Sequence, residues 1–204
     1  MEKTPKGEKI FFFMPKMSKS RKRLYDDYGQ MIRDNISIEK ILNNLDNKIK
    51  ESCILKLYPN EYDSKELENK ILNEIIFKKH QYIIDRTSSK KKIFKTSKLI
   101  LNYNDGTSFL ETISTDIPTI TFLPNLNWID ESVKQDYEKL LENNILFNNE
   151  KLMSKHINNI FYDIDSWWNN PKIKKVKLNF EQKYSQRPPN DALKILSKKI
   201  FKEI

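Results

Sequence analysis

Short apolar runs separated by amphipathic stretches organise the chain up to Phe122, and that alternation admits few folds. Residues 10–14, 53–58, 81–85, 99–103 and 118–122 each read as a strand, the last entered through Pro118 as a first or edge position allows. Between them lie helical patterns. Ser37 suits the N-cap of a helix carrying Ile38, Ile41, Leu42, Leu45 and Ile49 at 3.6-residue spacing, after a basic polar stretch to about Asn35. Residues 64–77 repeat the pattern with Leu67, Ile71, Leu72, Ile75 and Ile76, a basic helix runs through Phe94, and residues 106–114 form another. Beyond Asp130 the signal is helical, over 131–142, 151–162, 173–184 and 191–202. Strands alternating with helices, joined by right-handed crossovers, give a mainly parallel sheet covered on both faces. The expectation is a Rossmann-like, doubly wound α/β domain of about five strands. It occupies residues 1–187, with Pro188-Pro189 as linker to a C-terminal helical tail over 188–204.

Charge and cysteine content remove several classes. One cysteine, Cys53, excludes a disulfide framework and a cysteine-based zinc site, and as the opening residue of an apolar strand it reads as buried and inert. His80 and His156 have no partner at metal-ligand spacing, so no metal and no cofactor is expected. No apolar run approaches the roughly 20 residues of a membrane span, and the charged N-terminus lacks an apolar signal region, so the expected location is cytoplasmic. The net charge of +9 points toward anionic partners, yet 32 of the 37 basic residues are lysine and only five are arginine. Arginine forks are the usual means of base and phosphate recognition. The basic clusters 16–23, 90–95 and 172–177 are also far apart and share no interleaved aromatics, so specific nucleic-acid binding is not expected.

In such sheets ligands sit at the carboxyl ends of strands, beside helix N-termini. The segment that fits best is LILNYNDGTSFLETIS, residues 99–114: a strand ending at Tyr103, a polar turn, and a helix starting near Gly106. Gly106 would let the backbone come close to a ligand, and the amides and hydroxyls of Thr107 and Ser108 would cradle a phosphate. Phe109, Leu110 and Ile113 would face the core, leaving Thr107 and Glu111 at i and i+4 on the other side. Glu111 would accept hydrogen bonds from a ribose or sugar diol. The same residues also read as helix punctuation. Ser108-x-x-Glu111 has the spacing of a capping box, and Asn104 or Asp105 would serve as N-cap.

The segment NYNDGTSFLETISTDIPTITF, residues 102–122, resembles the signature of a bacterial family of transferases of surface-carbohydrate (O-antigen-type) biosynthesis. The likeness continues through NWIDESVKQDYEKLLENNILF (127–147) and KHINNIFYDIDSWW (155–168), and upstream in ILKLYPNEY (54–62). The resemblance implies the C-terminal, donor-binding half of a glycosyltransferase of the GT-B type, with Gly106, Thr107 and Ser108 on the donor phosphate and Glu111 on a ribose or sugar hydroxyl. Lys56, Tyr58, Tyr103 and Arg86 would line the cleft edge. The family pattern has arginine where Lys56 stands, and a lysine keeps the charge but not the bidentate fork. The partners implied are a nucleotide-sugar donor, a polysaccharide or lipid-linked acceptor, and a chain supplying the N-terminal half, which carries the catalytic base. The basic surface would suit peripheral docking on the anionic inner face of the membrane. The alternative reading is a non-catalytic remnant or partner-docking subunit with an aromatic cleft wall near Tyr103, Trp128 and Trp167; a basic nucleic-acid-binding domain is weaker. Trp167-Trp168 reads chiefly as core, Arg86 and Arg187 also as solvated loop positions.

Overall fold

The computed structural model describes residues 7–15, 28–58, 65–127 and 129–185. The basic cluster 16–23, Trp128, Arg187, the Pro188-Pro189 linker and the tail helix lie outside the described residues.

The chain runs β1 (Lys9–Phe13), α1 (Tyr28–Asn43), α2 (Asn47–Ser52), β2 (Cys53–Lys56), α3 (Lys65–Glu74), a 3-10 turn (Ile76–Lys78), β3 (Ile83–Asp85), α4 (Lys90–Thr96), β4 (Ser97–Tyr103), α5 (Thr107–Ser114), β5 (Thr119–Phe122), α6 (Glu131–Glu142), β6 (Leu146–Phe147), α7 (Glu150–Ile160), α8 (Ile164–Trp168) and α9 (Pro171–Tyr184). All the strand pairs are parallel, in the order β3-β2-β1-β4-β5-β6. That is the doubly wound Rossmann-type order, with its direction of winding reversing between β1 and β4.

Alternate strand residues serve the two faces. Ile10, Phe12, Leu55, Leu99, Leu101 and Tyr103 pack in one cluster with α1, α2, α3 and α7. On the other face Phe11, Phe13 and Ile100 meet Ile93 of α4. Beside them, Phe109 and Ile113 of α5 join Leu140, Trp168, Ile173 and Phe180. Trp168 is thus a core residue, and its indole N–H donates to the Asp116 carboxylate at 3.0 Å.

Several element boundaries differ from the sequence reading. The sheet has six strands among the described residues, because Leu146–Phe147 pairs with Thr121–Phe122. A two-residue strand between asparagines leaves no periodicity to detect. The first helix begins at Tyr28, so Ser37 lies within it, and its hydroxyl donates to Glu150 of α7 at 2.9 Å instead of capping. That helix stops at Asn43, with the Asn44 side chain donating to the Lys40 carbonyl at 2.6 Å, and α2 starts anew after Asp46. The short α8 reads in sequence as an acidic turn; Asp163 caps it by accepting from the Ser166 amide at 3.2 Å.

Candidate functional site

The winding reverses between β1 and β4, and in this architecture ligands sit at the carboxyl edge of the sheet beside such a reversal. Tyr103 ends β4 there, followed by Asn104, Asp105 and Gly106, which lead into α5. Each of these residues is fixed by a different part of the fold. Asn104 takes the left-handed conformation (φ 71°), its amide donates to the Phe122 carbonyl at 2.8 Å, and its carbonyl accepts from the Thr121 hydroxyl at 3.0 Å. The Asp105 carboxylate accepts from the Tyr137 hydroxyl of α6 at 2.6 Å, a bond that, after burial, holds that phenol protonated well above its usual range. Gly106 is the N-cap of α5, and its carbonyl accepts from the Phe109 amide at 2.9 Å.

The capping interpretation is not realised. No side chain caps α5, and neither Asn104 nor Asp105 occupies the cap position. Glu111 turns to Lys90 of α4 at 2.5 Å instead of reaching back to the helix start. A Cβ added at Gly106 would meet nothing within 4 Å, so open space lies beside the first turn. Thr107 is exposed and Ser108 half-buried, while Phe109 and Ile113 are buried as their spacing requires. The first turn of α5 therefore presents backbone donors and two hydroxyls at the positive end of a helix dipole.

Beneath α5 lies a buried polar network that sequence reasoning missed. Asn102 of β4 is fully buried and its amide donates to the Thr119 hydroxyl of β5 at 3.0 Å. The Thr112 hydroxyl lies 3.1 Å from that of Thr119 and donates to the Phe109 carbonyl at 2.9 Å. These bonds tie the helix to two strands and fix where its N-terminus points. The available signal was three polar residues inside otherwise apolar periodicities.

The proposed cleft-edge residues divide. Tyr103 is at the switch point but is buried, and its hydroxyl donates to Asp34 of α1 at 2.8 Å. Burial and the Asp34 charge raise that phenol's pKa far above normal. Lys56 ends β2, one strand beyond β1, and its ammonium lies 3.5 Å from Asp85 of β3 with both side chains largely covered. Burial works against ionisation of Asp85, but hydrogen bonds from Ser88 and Thr87 and the Lys56 charge outweigh it and hold the carboxyl below its usual range. Lys56 is thus committed to a carboxylate. Arg86 follows Asp85 just past the end of β3, and Tyr58 is exposed just past β2. Trp167 packs against His156 and Trp168 at ring separations of 5.2 and 5.3 Å. Cys53 is buried, which pushes its thiol up to about 12. Among the described residues no group of three or more His, Cys, Asp or Glu is placed to hold a metal ion. Nor is any described helix long and apolar enough to cross a membrane.

Residues 5–200 match the family described as LIC12162 family transferase. The chain belongs to this family. Membership makes it a transferase-family protein, and the family's match covers all of the sheet and the α5 site. No curated protein matches the chain. Among solved structures it is similar to the crystal structure of WaaG, described as a glycosyltransferase involved in lipopolysaccharide biosynthesis, with a TM-score of 0.47 and 8% identity. That similarity covers 93% of this chain and 46% of WaaG, so the chain spans under half the length of that protein.

Proposed function

We propose that this member of the transferase family binds the nucleotide-sugar donor of a glycosyl transfer in surface-polysaccharide or lipopolysaccharide synthesis. The observation that carries the proposal is the uncapped N-terminus of α5, open at Gly106, at the switch point between β1 and β4. The donor's phosphates would take the amides of Gly106, Thr107 and Ser108 and the two hydroxyls. Charge-assisted hydrogen bonds of this kind are about twice as strong as neutral ones. As the sugar–phosphate bond breaks, negative charge grows on the leaving diphosphate, and fixed amides plus the helix dipole stabilise it without rearrangement. The Asn102–Thr112–Thr119 network is what keeps those donors fixed. Glu111, with Lys90 on its carboxylate, would accept from a ribose or sugar hydroxyl at the side of the same helix. The acceptor, the catalytic base and the other half of the enzyme belong to a partner chain or to a domain beyond these residues. The excess of lysine supports peripheral docking at the inner face of an anionic membrane.

Thermal shift against nucleoside mono- and diphosphates tests the proposal. A ligand at 100 times its dissociation constant adds about 2.7 kcal/mol to native stability, an effect large enough to resolve. A base-selective shift is expected. A folded chain that responds to none of them would be a partner-docking subunit instead.

A further inference from the structure

The pattern Asp-x-Thr-Ser stands at the carboxyl ends of two strands, as residues 85–88 at the end of β3 and residues 105–108 after β4. The two copies have opposite outcomes. In the first, the Asp85 carboxylate folds onto its own chain and accepts from the Thr87 and Ser88 amides at 2.9 and 2.8 Å. A bond to an amide two residues on is the local arrangement that Asp and Asn side chains favour in turns. Asp130 and Asn170 make it too, to the Ser132 and Lys172 amides, each at 2.9 Å. Asp105 does not. Its carboxylate accepts from the Tyr137 hydroxyl at 2.6 Å, and among the described residues nothing accepts from the Thr107 or Ser108 amide.

Packing sets Tyr137 in place for this. Its ring is half-buried and edge-on to Phe180 of α9, with 5.6 Å between centroids. Phe180 packs in turn against Phe109, the residue after Ser108, at 5.7 Å. One aromatic row therefore fixes both the phenol and the first turn of α5. Open amides at a helix N-terminus attract an anion. Asp105 is tethered in the same turn, so it competes for them at high effective concentration. Released, its carboxylate would take the amides as Asp85 does and would repel a phosphate.

We infer that Tyr137 is a positioning residue, whose hydroxyl holds the Asp105 carboxylate off the α5 amides and so keeps the first turn open to a phosphate. What the open amides bind rests on the donor-site reading; the hold of Tyr137 on Asp105 does not. A site closed about nine-tenths of the time binds about tenfold more weakly.

The test reads the amides directly. Tyr137→Phe removes the hydroxyl and leaves the ring against Phe180. Amide hydrogen exchange, followed residue by residue by NMR, should be fast at Thr107 and Ser108 in the unaltered chain. It should slow roughly tenfold or more in Tyr137→Phe and be fast again in Tyr137→Phe with Asp105→Ala. Removal of a hydroxyl that merely steadied the fold would leave exchange there unchanged or make it faster. Inorganic pyrophosphate, titrated calorimetrically, should bind Tyr137→Phe roughly tenfold more weakly and regain at least its original affinity in the double variant. Exchange in Tyr137→Phe that is unchanged or faster, slowing that persists without Asp105, or pyrophosphate affinity that is unchanged by the first substitution or not restored by the second would each overturn the assignment. If Tyr137→Phe fails to fold by circular dichroism, Asp105→Ala alone decides: it should bind pyrophosphate at least as tightly as the unaltered chain, and weaker binding would overturn the assignment. Absence of pyrophosphate binding by the unaltered chain would count against the donor-site reading, and the exchange rates would still decide the role of Tyr137.

Discussion

Replacing Gly106 by alanine separates a ligand-binding glycine from a structural one. Its backbone (φ −71°, ψ −171°) is open to any residue, and the added methyl group would meet nothing within 4 Å. Alanine is a poorer N-cap than glycine by roughly 0.5–1 kcal/mol, while restricting the unfolded chain returns about 0.4–1 kcal/mol, so the net change in stability should be under about 1 kcal/mol. The same methyl group would stand in the space where phosphate oxygens reach the α5 amides. Loss of one charged hydrogen bond costs about 1.5–3 kcal/mol, or roughly 10–100-fold in affinity. Urea denaturation and calorimetric titration with a nucleoside diphosphate read the two effects separately. Unchanged affinity in Gly106→Ala would refute the phosphate placement, and a loss of several kcal/mol in stability would show that the glycine serves the fold.

Thr107→Ala combined with Ser108→Ala should weaken nucleotide binding while the far-ultraviolet circular dichroism stays native, because neither hydroxyl caps α5. His156 packs between Phe147 and Trp167, and burial lowers its pKa to about 4. The unfolded chain takes up that proton first, near pH 6.5, so His156 should cost nothing above that pH and up to about 3 kcal/mol as pH falls toward 4; urea midpoints for His156→Phe that keep this slope would exclude the residue as its source. Phe109 is fully buried and packs against the tilted ring of Phe180 at 5.7 Å, so Phe109→Ala should cost about 3–5 kcal/mol, whereas Leu178→Ser at a half-exposed position should stay within about 0.5 kcal/mol.

The parallel sheet and the strand–turn–helix at α5 were legible because their signals are local. Five apolar runs sit near the observed strands, and the Gly106–Ser108 turn follows the longest of them, β4. What escaped was set by tertiary contacts. Leu146–Phe147 becomes a strand only because Thr121 and Leu123 donate to the Ile145 and Phe147 carbonyls across the edge of β5. Ser37 looks like a cap, but α7 supplies Glu150 as its partner, 113 positions away in sequence. Spacing likewise made Ser108 and Glu111 a capping box, and it is α4, through Lys90, that draws Glu111 aside. The resemblance places Lys56 at the cleft edge, and nothing in the sequence pairs it with Asp85; the parallel register of β2 and β3 does.

The most direct test of the donor site is a two-dimensional ¹H–¹⁵N spectrum of the chain during titration with nucleoside diphosphates. Phosphate binding at the head of α5 predicts that the Gly106, Thr107 and Ser108 amides shift first and furthest, with Asn104 and Asp105 following and α4 and α9 little affected. Saturable binding whose largest shifts fall elsewhere, or no shift at these amides at millimolar nucleotide, would contradict it.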